Sequence, residues 1–153
     1  MRRAGSAFRS ALRLSWGQRL FVARSWAWLV VMAAVLRVFG FRRAQALAEQ
    51  PSGTWTPRED LASASASARL VHAAGRWTPF RTTCLVQSLV LTRLLRRQGL
   101  AAELHIGVAK PEGRFAAHAW VEHSGVTLNE GPDTARCFAP FDSRLLSERS
   151  RAR

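Results

Sequence analysis

Two cysteines in 153 residues are too few for a disulfide scaffold, and neither Cys84 nor Cys137 stands at a paired metal-ligand spacing from any of the four histidines. A secreted disulfide framework and a structural zinc site are thereby set aside. No cofactor is called for, and the reducing cytoplasm is the expected compartment. Acidic residues are scarce as well, 10 Asp and Glu against 23 Lys and Arg, for a formal net charge of +13. That excess invites an anionic partner, but arginines are spread from Arg2 to Arg153 and no nucleic-acid-binding motif groups them with spaced aromatics. Nucleic acid is therefore not expected, whereas an acidic peptide or protein fits.

Long apolar runs are missing too. Trp26 to Leu36 is apolar throughout, yet Arg24 and Arg37 bound it, leaving it far short of the roughly 20 residues that a spanning helix needs. It reads as a buried helix segment. The basic start, this run and Ala46-Leu47-Ala48 imitate a secretory signal, but the cut would fall unusually late and Arg42-Arg43 would charge the region before it. A weak contact of this basic, Trp-rich segment with a membrane surface is a further alternative. There is no internal repeat and no break stronger than the Gln50 to Thr54 connector. With 48% hydrophobic residues the chain has the core of one compact domain and calls for one site. Residues 1–50 read as an N-terminal helical segment packed on that core, 51–142 as the core, and 143–153 as a basic, loose tail.

What is present is clear punctuation. Ser15 followed by Gln18 matches a capping box, and a helix is predicted from there to Phe39, with Gly40 as its stop. A second helix is predicted with Thr56 as N-cap, Pro57 in its first turn, Glu59 closing the capping box and Gly75 just past its end. Its Ser-Ala alternation from Ala62 to Ala68 suits close helix approach. A third should begin at or just before Cys84, capped by Thr82 or Thr83, and run to Gln98 with Gly99 ending it. From Ala101 the period changes to two: Leu104, Ile106 and Val108 form one strand, Phe115 to His123 a second, and Val126 to Asn129 a third across a Ser124-Gly125 turn. The fold class is therefore α+β, helices followed by a small antiparallel sheet.

Three positions carry chemistry. Cys84 sits where a helix starts, and there unpaired N–H groups and the positive end of the helix dipole favour an anionic sulfur, converting an ordinary cysteine into a nucleophile. The bland reading is a buried structural cysteine. His118 lies in a strand where His118, Trp120 and Glu122 share one face, and a histidine on a strand near a helix that presents a cysteine supplies base and nucleophile on separate rigid elements. Its small neighbours leave room for substrate, with Trp120 a substrate-binding candidate. His72, His105 and His123 are assigned to structural roles. A third group should orient the imidazole. Simple pairing across the turn places Asn129 diagonal to His118, a bulge would bring Glu130 there instead, and Asp133 is an outside option.

The segments Cys84-Leu85-Val86-Gln87-Ser88-Leu89, Leu94-Leu95-Arg96-Arg97-Gln98-Gly99, His105-Ile106-Gly107-Val108 and Ala117-His118-Ala119-Trp120-Val121-Glu122 resemble the lasso peptide leader peptidases. Those are the protease components of lasso peptide biosynthesis, within the transglutaminase-like cysteine protease superfamily. The likeness runs from about Val71 to Pro132, with Leu14 to Ala48 similar to that family's helical N-terminus. It implies a papain-like core with a Cys-His-acid triad that removes the leader from a ribosomally made precursor peptide through a thioester, Cys84 and His118 taking the first two roles. The acid role falls on Glu130 after Asn129, where the family usually has aspartate, and Asn129 is the alternative third member. The resemblance to stand-alone proteases further implies a separate leader-recognition protein as partner and the lasso cyclase downstream.

Overall fold

A computed structural model describes residues 15–50, 58–109, 116–129 and 138–140. The first helix, α1, spans Trp16–Glu49 and starts at the predicted capping box: Ser15 Oγ accepts from the Gln18 N–H at 3.3 Å, and the Gln18 carbonyl oxygen accepts from the Ser15 N–H at 3.0 Å. Gly40 is not its end. That residue breaks the helix at φ 77°, ψ 179°, a conformation essentially confined to glycine, and the chain then resumes helical geometry to Glu49. It does so because Ala44 and Ala48 are fully buried and Arg93 and Arg96 donate to the last carbonyls of α1.

The apolar run inside α1 is less buried than its composition suggests. Ser25, Leu29 and Met32 form an inward stripe, while Trp26, Val30 and Val31 are exposed, as are Trp16, Leu20 and Val38 along the same helix. The physical reason is that, among the described residues, this helix packs on one side, against the two helices that follow it. Because the helix continues through Arg24 and Arg37, it is also longer than the bounded run. By length and composition it is apolar enough to cross a membrane, with a mean hydropathy of 1.6 over 18 residues.

The second helix, α2, spans Leu61–Gly75. It begins at Asp60 rather than at Thr56. The Asp60 carboxylate accepts both the backbone N–H of Ser63 (3.0 Å) and its hydroxyl (2.7 Å), while Arg58 is drawn into an extended bridge beside Leu100, its N–H bonded to Gly99 O at 2.8 Å. Glu59 thus precedes the cap, and Thr56 and Pro57 lie outside the described residues. The Ser-Ala alternation does mark a close-packed helix: Ala64, Ser67 and Ala68 are buried against neighbours that small side chains let approach.

The third helix, α3, spans Cys84–Arg97, with Thr83 as N-cap, Gln98 as C-cap and Gly99 at φ 75°. It is the centre of the molecule. Leu89, Val90, Leu91, Leu94 and Leu95 are buried, and α1, α2 and the sheet all pack on it. The sheet has strands β1 (Glu103–Ala109), β2 (Ala116–His123), β3 (Val126–Thr127) and β4 (Ala139–Pro140), antiparallel in the order β3-β2-β1-β4. Ser124 (φ 50°) and Gly125 (φ 75°) make the two-residue turn between β2 and β3, the positive-φ pair that a type I′ hairpin requires. The chain is therefore α+β. β4 was not predicted; as an edge strand it tolerates Pro140. Phe115, the loop through Pro111 and Gly113, and the tail beyond Asp142 lie outside the described residues.

Candidate active site

The amino end of α3 is built by its neighbours. Thr83 Oγ1 accepts the Val86 N–H at 3.3 Å, and Thr82 Oγ1 accepts from Gln87 Nε2 at 2.8 Å while lying 3.5 Å from the Gly75 carbonyl. A Cβ on Gly75 would stand 3.0 Å from Gln87 Nε2 and 3.1 Å from Thr82 Oγ1, so the end of α2 reaches the start of α3 because residue 75 has no side chain. Cys84 is the first residue of α3, half-buried and a free thiol. No acidic residue occupies the first turn. Thr83 uses the Val86 N–H, and among the described residues the Cys84 and Leu85 N–H groups have no acceptor, which leaves two donors and the positive end of the dipole beside the sulfur.

His118 stands on β2 at the same end of the molecule. Ser88, one turn or about 6 Å along α3 from Cys84, donates to Ala119 O at 2.9 Å. Beyond the far end of α3, His123 Nδ1 donates to Ala101 O. These two contacts make β2 run in the same direction as α3, so His118 lies on the Cys84 side of the Ser88–Ala119 bond. The Ser88 hydroxyl meets β2 along its edge. Val121 turns both its N–H and its C=O toward the β3 side, and the two-residue period turns Ala119 O the same way, into the stretch of edge that the short β3 leaves open.

The His118 side chain shares its face with Trp120 and Glu122, opposite the face on which Val121 joins the core. There the rings form a layer. His118 lies 6.5 Å from Trp120, nearly parallel to it, and 5.2 Å from Phe138, while His105 stacks on the other side of Trp120 at 5.7 Å. Trp120 donates its indole N–H to Glu122 at 2.8 Å and is only 2% exposed. The residue expected at the substrate surface thus lies inside the layer, between two histidines. Gly107, opposite His118 in β1, makes room for it: a Cβ there would stand 2.7 Å from the Phe138 Cβ and 2.9 Å from the Trp120 ring.

Asn129 is spent elsewhere. Its carbonyl oxygen accepts the Val121 N–H and its amide donates to Ser88 Oγ, each at 2.9 Å. The side chain thereby replaces the next backbone pairing of β3, which is why that strand ends at Thr127 rather than Asn129, and it ties β2 to α3. Glu130 and Asp133, like Cys137, lie outside the described residues. Of the other histidines, His123 is buried on Ala101 O, and His105 Nε2 lies 3.6 Å from a carboxylate oxygen of each of Glu103 and Glu122. Among the described residues no cluster of His, Cys, Asp and Glu could hold a metal ion.

Three contributors had no predicted role. Ser88 carried a signal, a polar side chain one turn from Cys84 in an apolar helix. Gly107 carried another, since a glycine inside a strand often marks close approach. Phe138 carried none, because it arrives from a distant segment through β4.

The family model described as the transglutaminase-like superfamily matches residues 26–143, from inside α1 to beyond β4. No curated protein and no solved structure matches the chain significantly.

Proposed function

The chain belongs to the transglutaminase-like superfamily, which includes cysteine proteases, and from that membership we propose that it is a cysteine peptidase removing the leader from a ribosomally made lasso peptide precursor. The observation that carries the reading is the pairing of ends: a free cysteine opening a capped helix, and a histidine on the strand that runs beside that helix, toward the same end. The four motif segments that resemble the leader peptidases supply the substrate.

In this reading the Cys84 thiol gives its proton to His118, its sulfur attacks the carbonyl carbon of the last leader residue, and the Cys84 N–H stabilises the oxyanion. The C–N bond breaks as His118 delivers its proton to the departing amine, the new N-terminus of the core peptide. A thioester of the leader remains. Water, losing its proton to His118, then hydrolyses that thioester and restores the thiol. Because both ends of the Asn129 amide are engaged by Val121 and Ser88, Glu130 is assigned as the group that orients His118. A separate leader-recognition protein delivers the precursor in the cytoplasm, and the cyclase takes the product.

Reconstitution with precursor and recognition protein tests this. Cys84→Ala and His118→Ala should each lower cleavage by about 10⁴-fold or more, and full activity in either variant ends the proposal. The mass of the product separates hydrolysis from transfer of the acyl group to an amine. Glu130→Ala should lower kcat while leaving the melting temperature near that of the parent; Asn129→Ala should do the reverse, lowering stability by about 1–3 kcal/mol because it leaves the partly buried Val121 N–H without its acceptor and removes the tie to Ser88.

A further inference from the structure

Beside Cys84 there is a groove that the peptidase mechanism leaves unused. One wall is α1, through Val30, Ala34 and Arg37; the other is the segment leading into α3, through Phe80 and Arg81, with Val86 from the first turn of α3 between them. Its volume is about 500 Å³, within the ordinary range for ligand sites. Thr83, which also lines it, is the residue immediately before Cys84.

Two properties of the groove point to its occupant. The walls are apolar and only partly covered: Val30 and Phe80 are each 37% exposed. The charge is of one sign. Arg37 and Arg81 are the charged groups of the lining, both exposed, and among the described residues no carboxylate pairs with either. Nor is a carboxylate close in sequence, since α1 has no acidic residue before Glu49 and the chain has none from Leu61 to Ala102. The adjoining end of α3 adds the positive pole of its dipole.

We propose that this groove holds the stretch of precursor peptide next to the scissile bond, seating an apolar side chain between α1 and Phe80 and pairing an Asp or Glu of the peptide with Arg37 and Arg81. This rests on the peptidase reading for its orientation toward Cys84, but the binding it requires is measurable without cleavage. The apolar walls supply burial. The two guanidinium groups supply selection for acid over amide, since each can bond a carboxylate through two N–H donors.

The test uses the full chain and two fluorescein-labelled decapeptides, one with a leucine flanked by glutamates and the other with the glutamates changed to glutamines. The Glu peptide should bind about fivefold to tenfold more tightly, and should slow alkylation of Cys84 by iodoacetamide. In Arg37→Gln and Arg81→Gln the preference should shrink towards none, while the melting temperature stays near that of the parent, which shows the fold intact. Equal binding of the two peptides, or an undiminished preference in both Arg variants, overturns the proposal. So does binding of phosphatidylserine vesicles or of an oligonucleotide that depends on both arginines and that the Glu peptide does not displace. A chain that prefers the Glu peptide through these arginines but cleaves no precursor upholds the groove and removes the peptidase reading. Cleavage without that preference does the opposite.

Discussion

Gly107 and Asn129 show how single residues set the site without touching substrate. A methyl group on Gly107 would press on Phe138 and on the Trp120 ring, and both rings lie against the His118 imidazole. Gly107→Ala should therefore destabilise the chain by about 1–3 kcal/mol, the usual cost of overpacking, and, under the proposed mechanism, lower kcat more than it raises KM, since what moves is the proposed base His118 rather than a binding wall. Thermal unfolding and steady-state cleavage check the two parts. The sequence placed Cys84 at a helix start and His118 on a strand because each lies in a strong local pattern, a Thr-capped apolar helix and an alternating run. What it could not place were the choices of partner made across the fold. Nothing around Asn129 shows that its amide will bridge Val121 and Ser88, and nothing near His118 shows that a phenylalanine twenty residues later will lie against it.

At the scale of the element, the helices differ in how their starts respond to acid. Asp60 caps α2 through the N–H of Ser63, then through its hydroxyl, and these bonds, with a smaller contribution from Arg58, hold its carboxyl below the ordinary value of 3.8. The sign follows directly. The ionised form is the one the folded chain favours, so the cap's contribution is present above the ordinary carboxylate value and is lost as pH falls from there through the lower folded value. Ser15 and Thr83, hydroxyl caps, have no such dependence. Asp60→Asn keeps a capping side chain without the charge, so its melting temperature should fall less steeply on acidification than that of the parent, and the gap between the two should close at low pH. Parallel melts across the acid range measure this. The same element shows where local reading fails. Thr56, Pro57 and Glu59 form an acceptable start on paper, and the chain bypasses it because the bond from Arg58 to Gly99 O extends the backbone there, a tertiary contact that a capping pattern cannot anticipate.

At the scale of the molecule, α1 is held on by α3. Arg93 donates to Leu47 O and stacks on Trp28 at 4.0 Å, and Arg96 donates to Glu49 O at 3.1 Å as well as to Ala102 O. Burial, with Arg97 nearby, pushes the Arg93 guanidinium down from its ordinary value, so desolvation offsets part of what the carbonyl and the indole return. Arg93→Met should still cost about 2–3 kcal/mol, by leaving Leu47 O without its donor, and lower the melting temperature by about 5–10 °C for a chain of this size. Loss of protection in amide exchange should concentrate in Phe41 to Glu49, the part of α1 that continues past Gly40. An unchanged melting temperature would show that the second half of α1 is held by Ala44 and Ala48 alone.

These contacts also decide what freedom the sulfur has. α3 is fastened in its first half by Gln87 to Thr82, which lies against Gly75, and by Ser88 to β2 and Asn129, and in its second half by Arg93 and Arg96 to α1. A rod pinned in both halves to different neighbours can neither slide nor roll without breaking several bonds at once. The aim of residue 84 is then left to the one torsion between its Cα and Cβ, three staggered settings on an immobile mount.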